Sequence, residues 1–361
     1  MEMNGETSAN SNPDEEFLRA MHLASDSILP MTLRAAIELD LFEIMAKSGQ
    51  DAYLSAAQIC SHLPTKNNPQ APYMLERMLQ FLASSDILRC SDETETKRLY
   101  ALSPICKYFV RNRDGFSLAP ILVMIQDQVI INSWYHLKDA ILNGGNPVEK
   151  AHGMGLFDYL AKDDRFSEVF HQAMCNLASF TMQRFLQVYK GFDSLHQVVV
   201  VDVGGGSGAT LASVVSKYPT IKAINFDLPQ VLSDAPSWPG VEHVGGDMFE
   251  NVPKGDVIFM KYILHDWSDD RCLKLLKNCW SALPETGKVI MVESILPETP
   301  RNEIVSQGIL RMDVSMMVLN HPGGKERTEK EYERLATGAG FADSRVVCNF
   351  HNLGVMEFYK L

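Results

Sequence analysis

The segment "FMKYILHDWSDD", residues 259–270, sets a histidine beside an acid at the end of an apolar run. Histidine is the side chain most able to take a proton near neutral pH, and a nearby carboxylate orients the ring and stabilises its charged form. His265 is the candidate general base, with Asp266 and Trp267 beside it. Glu293 closes the apolar run "VIMVES", and Glu326 lies further on in the loop "PGGKERT". These two carboxylates suit the same proton-transfer chemistry.

Upstream, "VVVVDVGGGSGAT", residues 198–210, runs from valines through an acid into a glycine cluster. Glycine lets a chain turn sharply and approach a ligand closely. Gly204, Gly206 and Ala209 also fit the loose dinucleotide pattern G-x-G-x-x-G/A, a weak signal alone. Such a loop can hold a phosphate, a dinucleotide or a nucleoside sulfonium. Asp227, ending "INFD" one strand–helix–strand unit later, is placed to accept from both hydroxyls of a ribose. In "GGDMF", Asp247 suits an adenine's exocyclic amine and Met248 its ring face. A turn acid and a core methionine are the plainer readings of that pair. Lys261 ends the next apolar run. NAD and S-adenosylmethionine (SAM) both satisfy these residues.

These groups need a sheet to bring them together. From Val198 onward, strand candidates alternate with helix candidates: "VVVVDV", "IKAINFDL", "VEHVGG", "DVIFMKY", "KVIMVES", "RVVCNF" and "GVMEFYKL". That alternation predicts a parallel α/β sheet with crossover helices, ligands lying at its C-terminal edge. The last two strands are too close for a helix between them, so the final one should run antiparallel. The first third reads as helices. "SAAQICSHL" opens on a capping box from Ser55 to Gln58. "TLRAAIELDLFEIM" is an amphipathic run, and in "YMLERMLQFLA" Met74, Leu75, Met78, Leu79 and Leu82 form one apolar face. "DILRC" and "RLYALS" follow as a hairpin, giving a winged-helix shape. A DNA-binding version needs basic residues on the helix before the hairpin, where Glu76 and Arg77 stand without a basic cluster.

The chain has 361 residues, 46% of them hydrophobic, and a formal charge of −12. That is enough for two domains. The acidic balance disfavours wrapping nucleic acid or an anionic membrane. Seven cysteines at irregular spacing, without a C-x-x-C pair, fit free thiols in a reducing compartment. Residues 1–16 read as a disordered polar tail without the features of a secretory signal, and the expected address is the cytoplasm.

"VDVGGGSG", "INFDLPQV", "GVEHVGGDMF", "FMKYILHDWSDD", "ALPETGKVIMVES" and "PGGKERTEKEYERLA" together resemble plant SAM-dependent small-molecule O-methyltransferases of the caffeic acid type. The likeness runs back through "SWYHLKDAILNGG" to "LPMTLRAAIELDLFEIMAKSG" and leaves out only the N-terminal tail. It implies a Rossmann-like SAM-dependent methyltransferase domain over residues 114–361, acceptor-binding helices included. It also implies a helical, winged-helix-like dimerisation domain over residues 17–113, whose homodimer closes the partner's acceptor pocket. By this resemblance Gly204 approaches SAM, Asp227 binds its ribose, Asp247 and Met248 hold the adenine, and Lys261 meets its polar end. His265 is the catalytic base bracketed by Glu293 and Glu326, and no metal is needed. An NAD-dependent dehydrogenase explains the glycine loop but not "GDMF" with "HDW". A non-catalytic winged-helix regulator would need a basic face.

The acceptor segments depart from that family. Caffeic-type enzymes usually carry N-Q-D-K before "SWYHL", where this chain has Ile125, Gln126, Asp127 and Gln128. Where they carry G-M-S-D-H-S, it has Ala173 to Ala178, with Leu177 in place of the histidine. Burying a polar group without a partner costs about 1–3 kcal/mol. A pocket lined by Ile125 and Leu177 should therefore disfavour a free carboxylate. It should favour a flat, less polar phenol such as a coumarin, furanocoumarin or other phenylpropanoid, its ring held by Met124, Phe170, Met174 and Met317. Caffeic acid or 5-hydroxyferulic acid, substrates of lignin synthesis, is the alternative.

Overall fold

The computed structural model describes residues 12–65, 67–94, 97–320 and 323–361. The chain separates into two compact units. One holds the described residues up to Asp127 together with Val169–Leu177, and the other holds Gln128–Glu168 and Ala178–Leu361. The first unit extends through the helix Ala119–Ile125. There Arg34 Nη1 donates to the Gln126 carbonyl, and the Asn176 side chain accepts from the Ser117 amide at 2.8 Å.

The first unit is helical up to a hairpin. Its first helix begins at Pro13, inside the stretch expected to be a tail, and runs to Ala24. The Asn12 side chain caps it, accepting from the Asp14 amide at 3.1 Å, and Asp14, Glu15 and Glu16 complement the positive helix end. Residues 1–11 of the expected tail lie outside the described residues. "TLRAAIELDLFEIM" is two helices, Ile28–Glu38 and Leu41–Lys47, broken where Asp40 takes left-handed backbone angles at φ 53°. Ser55 and Gln58 form the expected capping box. In the helix Ala71–Ser84 the buried stripe is Ala71, Leu75, Leu79 and Leu82; Met74 falls off it and is 57% exposed. β1 (Leu88–Thr94) and β2 (Lys97–Leu102) pair antiparallel, so the wing is present. Glu76, on the helix before the wing, is committed to it, accepting from Tyr100 Oη at 2.7 Å.

The second unit is built on a seven-stranded sheet. Its strands are β3 (Val199–Val203), β4 (Lys222–Asp227), β5 (Val241–Gly245), β6 (Val257–Lys261), β7 (Lys288–Glu293), β10 (Asp343–Phe350) and β11 (Leu353–Tyr359). The order is β10-β11-β7-β6-β3-β4-β5. β3 to β7 run parallel, and β11 runs antiparallel to both neighbours, as the sequence requires. The central strands are largely apolar because both faces are covered, with Asp202 in β3 as a buried exception. Val201, Ile258 and Met291 pack into one core while Val200, Phe259 and Ile290 pack into the other, the period-two alternation of a strand. A further pair was not expected: β8 (Ile295–Leu296) and β9 (Arg327–Thr328) lie parallel. It pins the loop carrying Glu326 beside the end of β7.

Candidate active site

Five parallel strands deliver the candidate residues to one edge. β3 ends at Val203, and Gly204, Gly206 and Gly208 take φ of 72°, 57° and 80°, which only glycine adopts without strain. A side chain on Gly204 would start 2.4 Å from Ile263 Cδ1, whereas one on Gly206 would meet nothing within 4 Å. The loop is tied to β4 by two side chains. Asp227 Oδ2 accepts from the Gly206 amide at 2.8 Å and its Oδ1 from the Leu228 amide at 2.7 Å. Asn225 Nδ2 donates to the Gly206 carbonyl at 2.8 Å. After β5, exposed Asp247 accepts from the Phe249 amide at 2.8 Å, and Met248 is half-buried against the core. The turn-acid and core-methionine readings therefore both describe this pair, leaving the second Asp247 oxygen for other contacts.

Lys261, half-buried at the end of β6, has its ammonium 4.9 Å from the Tyr262 ring centroid. Burial lowers its pKa, opposed by the charges of Asp202 and Glu293. Asp202, buried in β3, is pushed up to about 7 by burial, with Lys261 opposing and Asp227 adding to the shift.

His265 sits in a single 3-10 turn, Leu264–Asp266, that starts two residues after Tyr262, whose φ of 58° is left-handed and unusual for a bulky residue. The imidazole is buried and stacked on Tyr262, centroids 5.5 Å apart at 23°. Its Nδ1 meets Glu326 Oε1 at 2.9 Å and lies 3.8 Å from Glu293 Oε2. Its Nε2 faces Asp266 Oδ1 at 3.4 Å. Burial alone would lower its pKa; the carboxylates of Glu293, Asp266 and Glu326 outweigh it and lift the group to about 10. Glu293 Oε1 accepts from the Ile263 and Leu264 amides at 2.7 and 2.8 Å, so this carboxylate also shapes the turn. Asp266 accepts from Asn320 Nδ2 at 2.5 Å. Among the described residues, His265, Glu293 and Glu326 bring three metal-competent donors within 4.8 Å, a closeness their spacing in the sequence does not reveal.

The expected acceptor residues are divided between the units. Met124 and Ile125 end the helix Ala119–Ile125, with Met124 buried and Ile125 45% exposed. Phe170, Met174 and Leu177 follow at helical spacing within Asp164–Val188, all partly buried. These five belong to the first unit; Met317, 46% exposed on Ile304–Leu319, belongs to the second. The first unit also has a cleft of about 280 Å³, lined by Val123, Val169, Gln172 and Asn176 but by none of the six. Sequence reading missed Asp202, Asn225, Tyr262 and Arg327. All four lie within the quoted motifs, yet their spacing marks no role; Asp202, an acid among valines just before the glycines, is the most conspicuous by type.

Human N-acetylserotonin methyltransferase in complex with SAM shares this fold with a TM-score of 0.80 at 22% identity, over 98% of this chain and 99% of that one. A methyltransferase of calicheamicin biosynthesis in its SAH-bound form gives 0.83 at 22%, over 98% and 100%. The architecture is that of a class I SAM-dependent methyltransferase. The O-methyltransferase domain family matches residues 134–342, and the O-methyltransferase dimerisation domain matches residues 21–112. Caffeic acid 3-O-methyltransferase 1 of Populus tremuloides and caffeic acid 3-O-methyltransferase of Rosa chinensis are each 56% identical, over 96% of this chain and 95% of theirs. The chain belongs to the O-methyltransferase family and is a SAM-dependent enzyme of it. The family uses SAM without a metal. The residues fit that cofactor: left-handed glycines leave the loop open above Gly206, and Asp227 and Lys261 stand on the same sheet edge.

Proposed function

We propose that this enzyme methylates a phenolic hydroxyl of a plant aromatic metabolite, with His265 as general base. The buried imidazole carries the reading: Nδ1 is held by Glu326 at 2.9 Å, which leaves Nε2, on the opposite side of the ring and 3.4 Å from Asp266 Oδ1, as the nitrogen that would meet the phenol. When bound, SAM supplies the sulfonium methyl. That methyl would pass to the phenol oxygen with the C–S bonding pair left on sulfur, while Nε2 of His265 takes the phenol proton. Glu293 and Glu326 stabilise the resulting imidazolium. Gly204, Asp227, Asp247, Met248 and Lys261 hold the cofactor. General-base assistance of this kind contributes about 10²–10⁴-fold.

The preferred acceptor is a hydroxylated coumarin or furanocoumarin, a reading supported by Ile125 and Leu177 in place of polar residues. The relatives named for caffeic acid favour the second reading, caffeic acid or 5-hydroxyferulic acid. Competition between a hydroxycoumarin and caffeic acid in one tube, with products resolved by mass, decides between them. The coumarin should win, and Ile125→Asn with Leu177→His should shift the ratio about tenfold toward the acid. Victory of caffeic acid in wild type would reject the coumarin reading; an unchanged ratio would remove these side chains from the acceptor site.

The enzyme acts as a homodimer through its N-terminal helices. The helix Pro13–Ala24 buries none of its residues, and Phe17 and Leu23 are 66% and 71% exposed. Apolar surface of this kind calls for a partner. Sedimentation at micromolar concentration should give twice the chain mass; an active monomer would refute the assignment. The proposed site of action is the cytosol, a reading that the seven free cysteines support.

A further inference from the structure

We propose that Arg327 is a positioning residue that locks the His265 turn to the Glu326 loop and thereby sets the proton affinity of the imidazole. Arg327 is fully buried, although it directly follows Glu326 in a polar loop sequence. Its guanidinium reaches across to the other strand end. Nη1 donates to the Leu264 carbonyl at 2.8 Å and Nη2 to the Trp267 carbonyl at 2.7 Å. These two carbonyls bracket His265 on either side. Nη1 also reaches the Lys325 carbonyl at 3.3 Å, and Nε donates to Asp269 Oδ1 at 2.9 Å. The backbone adds a matching bond, from the Lys325 amide to the His265 carbonyl at 2.9 Å.

The arrangement couples two things that sequence places far apart. The turn Leu264–Asp266 carries the base, and Glu326 carries the carboxylate that holds Nδ1. One planar fork fixes the carbonyls of the turn while its own backbone, in β9, is anchored to β8 after Glu293. Burying a cation for fold alone is costly. Here its donors are spent on the carbonyls of the turn, on the Lys325 carbonyl and on a single acid, Asp269, whose side chain is 58% exposed. Only arginine can do this, because lysine offers one point charge and no fork with fixed angles. If the lock loosens, Glu326 and Glu293 draw away from the ring. The imidazolium then loses support and its pKa falls from the raised value.

The inference rests on His265 being the base, so the test reads the imidazole as well as turnover. In Arg327→Lys, the limiting kcat above the acid limb should fall at least tenfold, because the ring is no longer held in place, while KM for the phenol and the dissociation constant for SAM stay within threefold. The imidazole resonance of His265, identified by its loss in His265→Ala, should titrate at least half a unit lower by NMR. The acid limb of the kcat–pH profile should move to lower pH by a similar amount. Asp269→Asn, at an exposed position, loosens the same clamp from outside and should give shifts of the same sign, with a two- to fivefold loss in kcat. It carries the test if Arg327→Lys does not fold. An unmoved His265 titration with unchanged kcat per folded molecule in whichever variants fold would overturn the inference. An active His265→Ala with a shifted titration in Arg327→Lys would instead overturn the base assignment and leave the lock standing.

Discussion

His265→Ala lowers kcat on the preferred phenol at least about a hundredfold and leaves SAM affinity within about threefold. The asymmetry follows from where the ring sits. It lies after β6, between Glu326 and Asp266, whereas the glycine loop follows β3 and is tied to Asp227 on β4. A phenol has a pKa near 10, so at neutral pH little phenolate is present without a base. The carboxylates of Glu293, Asp266 and Glu326 outweigh burial and raise the proton affinity of the imidazole above that of an ordinary histidine, which suits it to take that proton. The raised pKa favours the imidazolium in the free enzyme, and only the neutral ring can act as base. The rate should therefore rise with pH through a limb above the ordinary 6.5 of histidine. A cation brought to this edge disfavours the imidazolium and moves the limb down toward neutrality. Steady-state profiles from pH 6 to 9.5 check both parts: wild type should show the rising limb, and His265→Ala should lose it. If the variant keeps more than a third of wild-type turnover, the proton goes elsewhere.

The sheet was legible because its buried strands are largely apolar runs that end in polar groups. "VIMVES" and "VIFMK" each place one charged residue where the strand emerges, and the structure puts Glu293 and Lys261 there. The helix break at Asp40 was not legible: "LDLF" continues the apolar pattern, and only a left-handed residue reveals the turn. Nor was the depth of Arg327. Its buried role depends on carbonyls contributed by Leu264 and Trp267, and a sequence does not display which carbonyls lack partners. The proximity of Glu326 to His265 depends on the two-residue pair β8–β9, too short to leave a periodic signal. The acceptor side was read from substitutions alone, so its side chains could be named while their common arrangement could not.

Asp227→Ala weakens SAM binding roughly a hundredfold, measured by calorimetry with the product S-adenosylhomocysteine as a second probe. Each hydrogen bond from a ribose hydroxyl to a charged carboxylate is worth about 1.5–3 kcal/mol, and partial compensation by water leaves about 3 kcal/mol for the pair. Asp227 has a second duty, because its oxygens accept from the Gly206 and Leu228 amides at 2.8 and 2.7 Å. Each carboxylate oxygen has two lone pairs, so holding the loop and holding a ribose are compatible. The two duties separate in a cycle using the 2′-deoxyribose analogue of the product. If the carboxylate grips the ribose, removing the hydroxyl costs wild type about tenfold and costs Asp227→Ala almost nothing. If the residue only braces the loop, the hydroxyl is worth the same in both proteins. Asp227→Asn should fall between, since its amide keeps one acceptor oxygen and loses the charge. In every variant the limiting kcat at saturating SAM should stay within about threefold of wild type, because the ribose contact is made equally before and during methyl transfer. A large fall in kcat would mean that the loop, and with it the alignment of the methyl group, has moved.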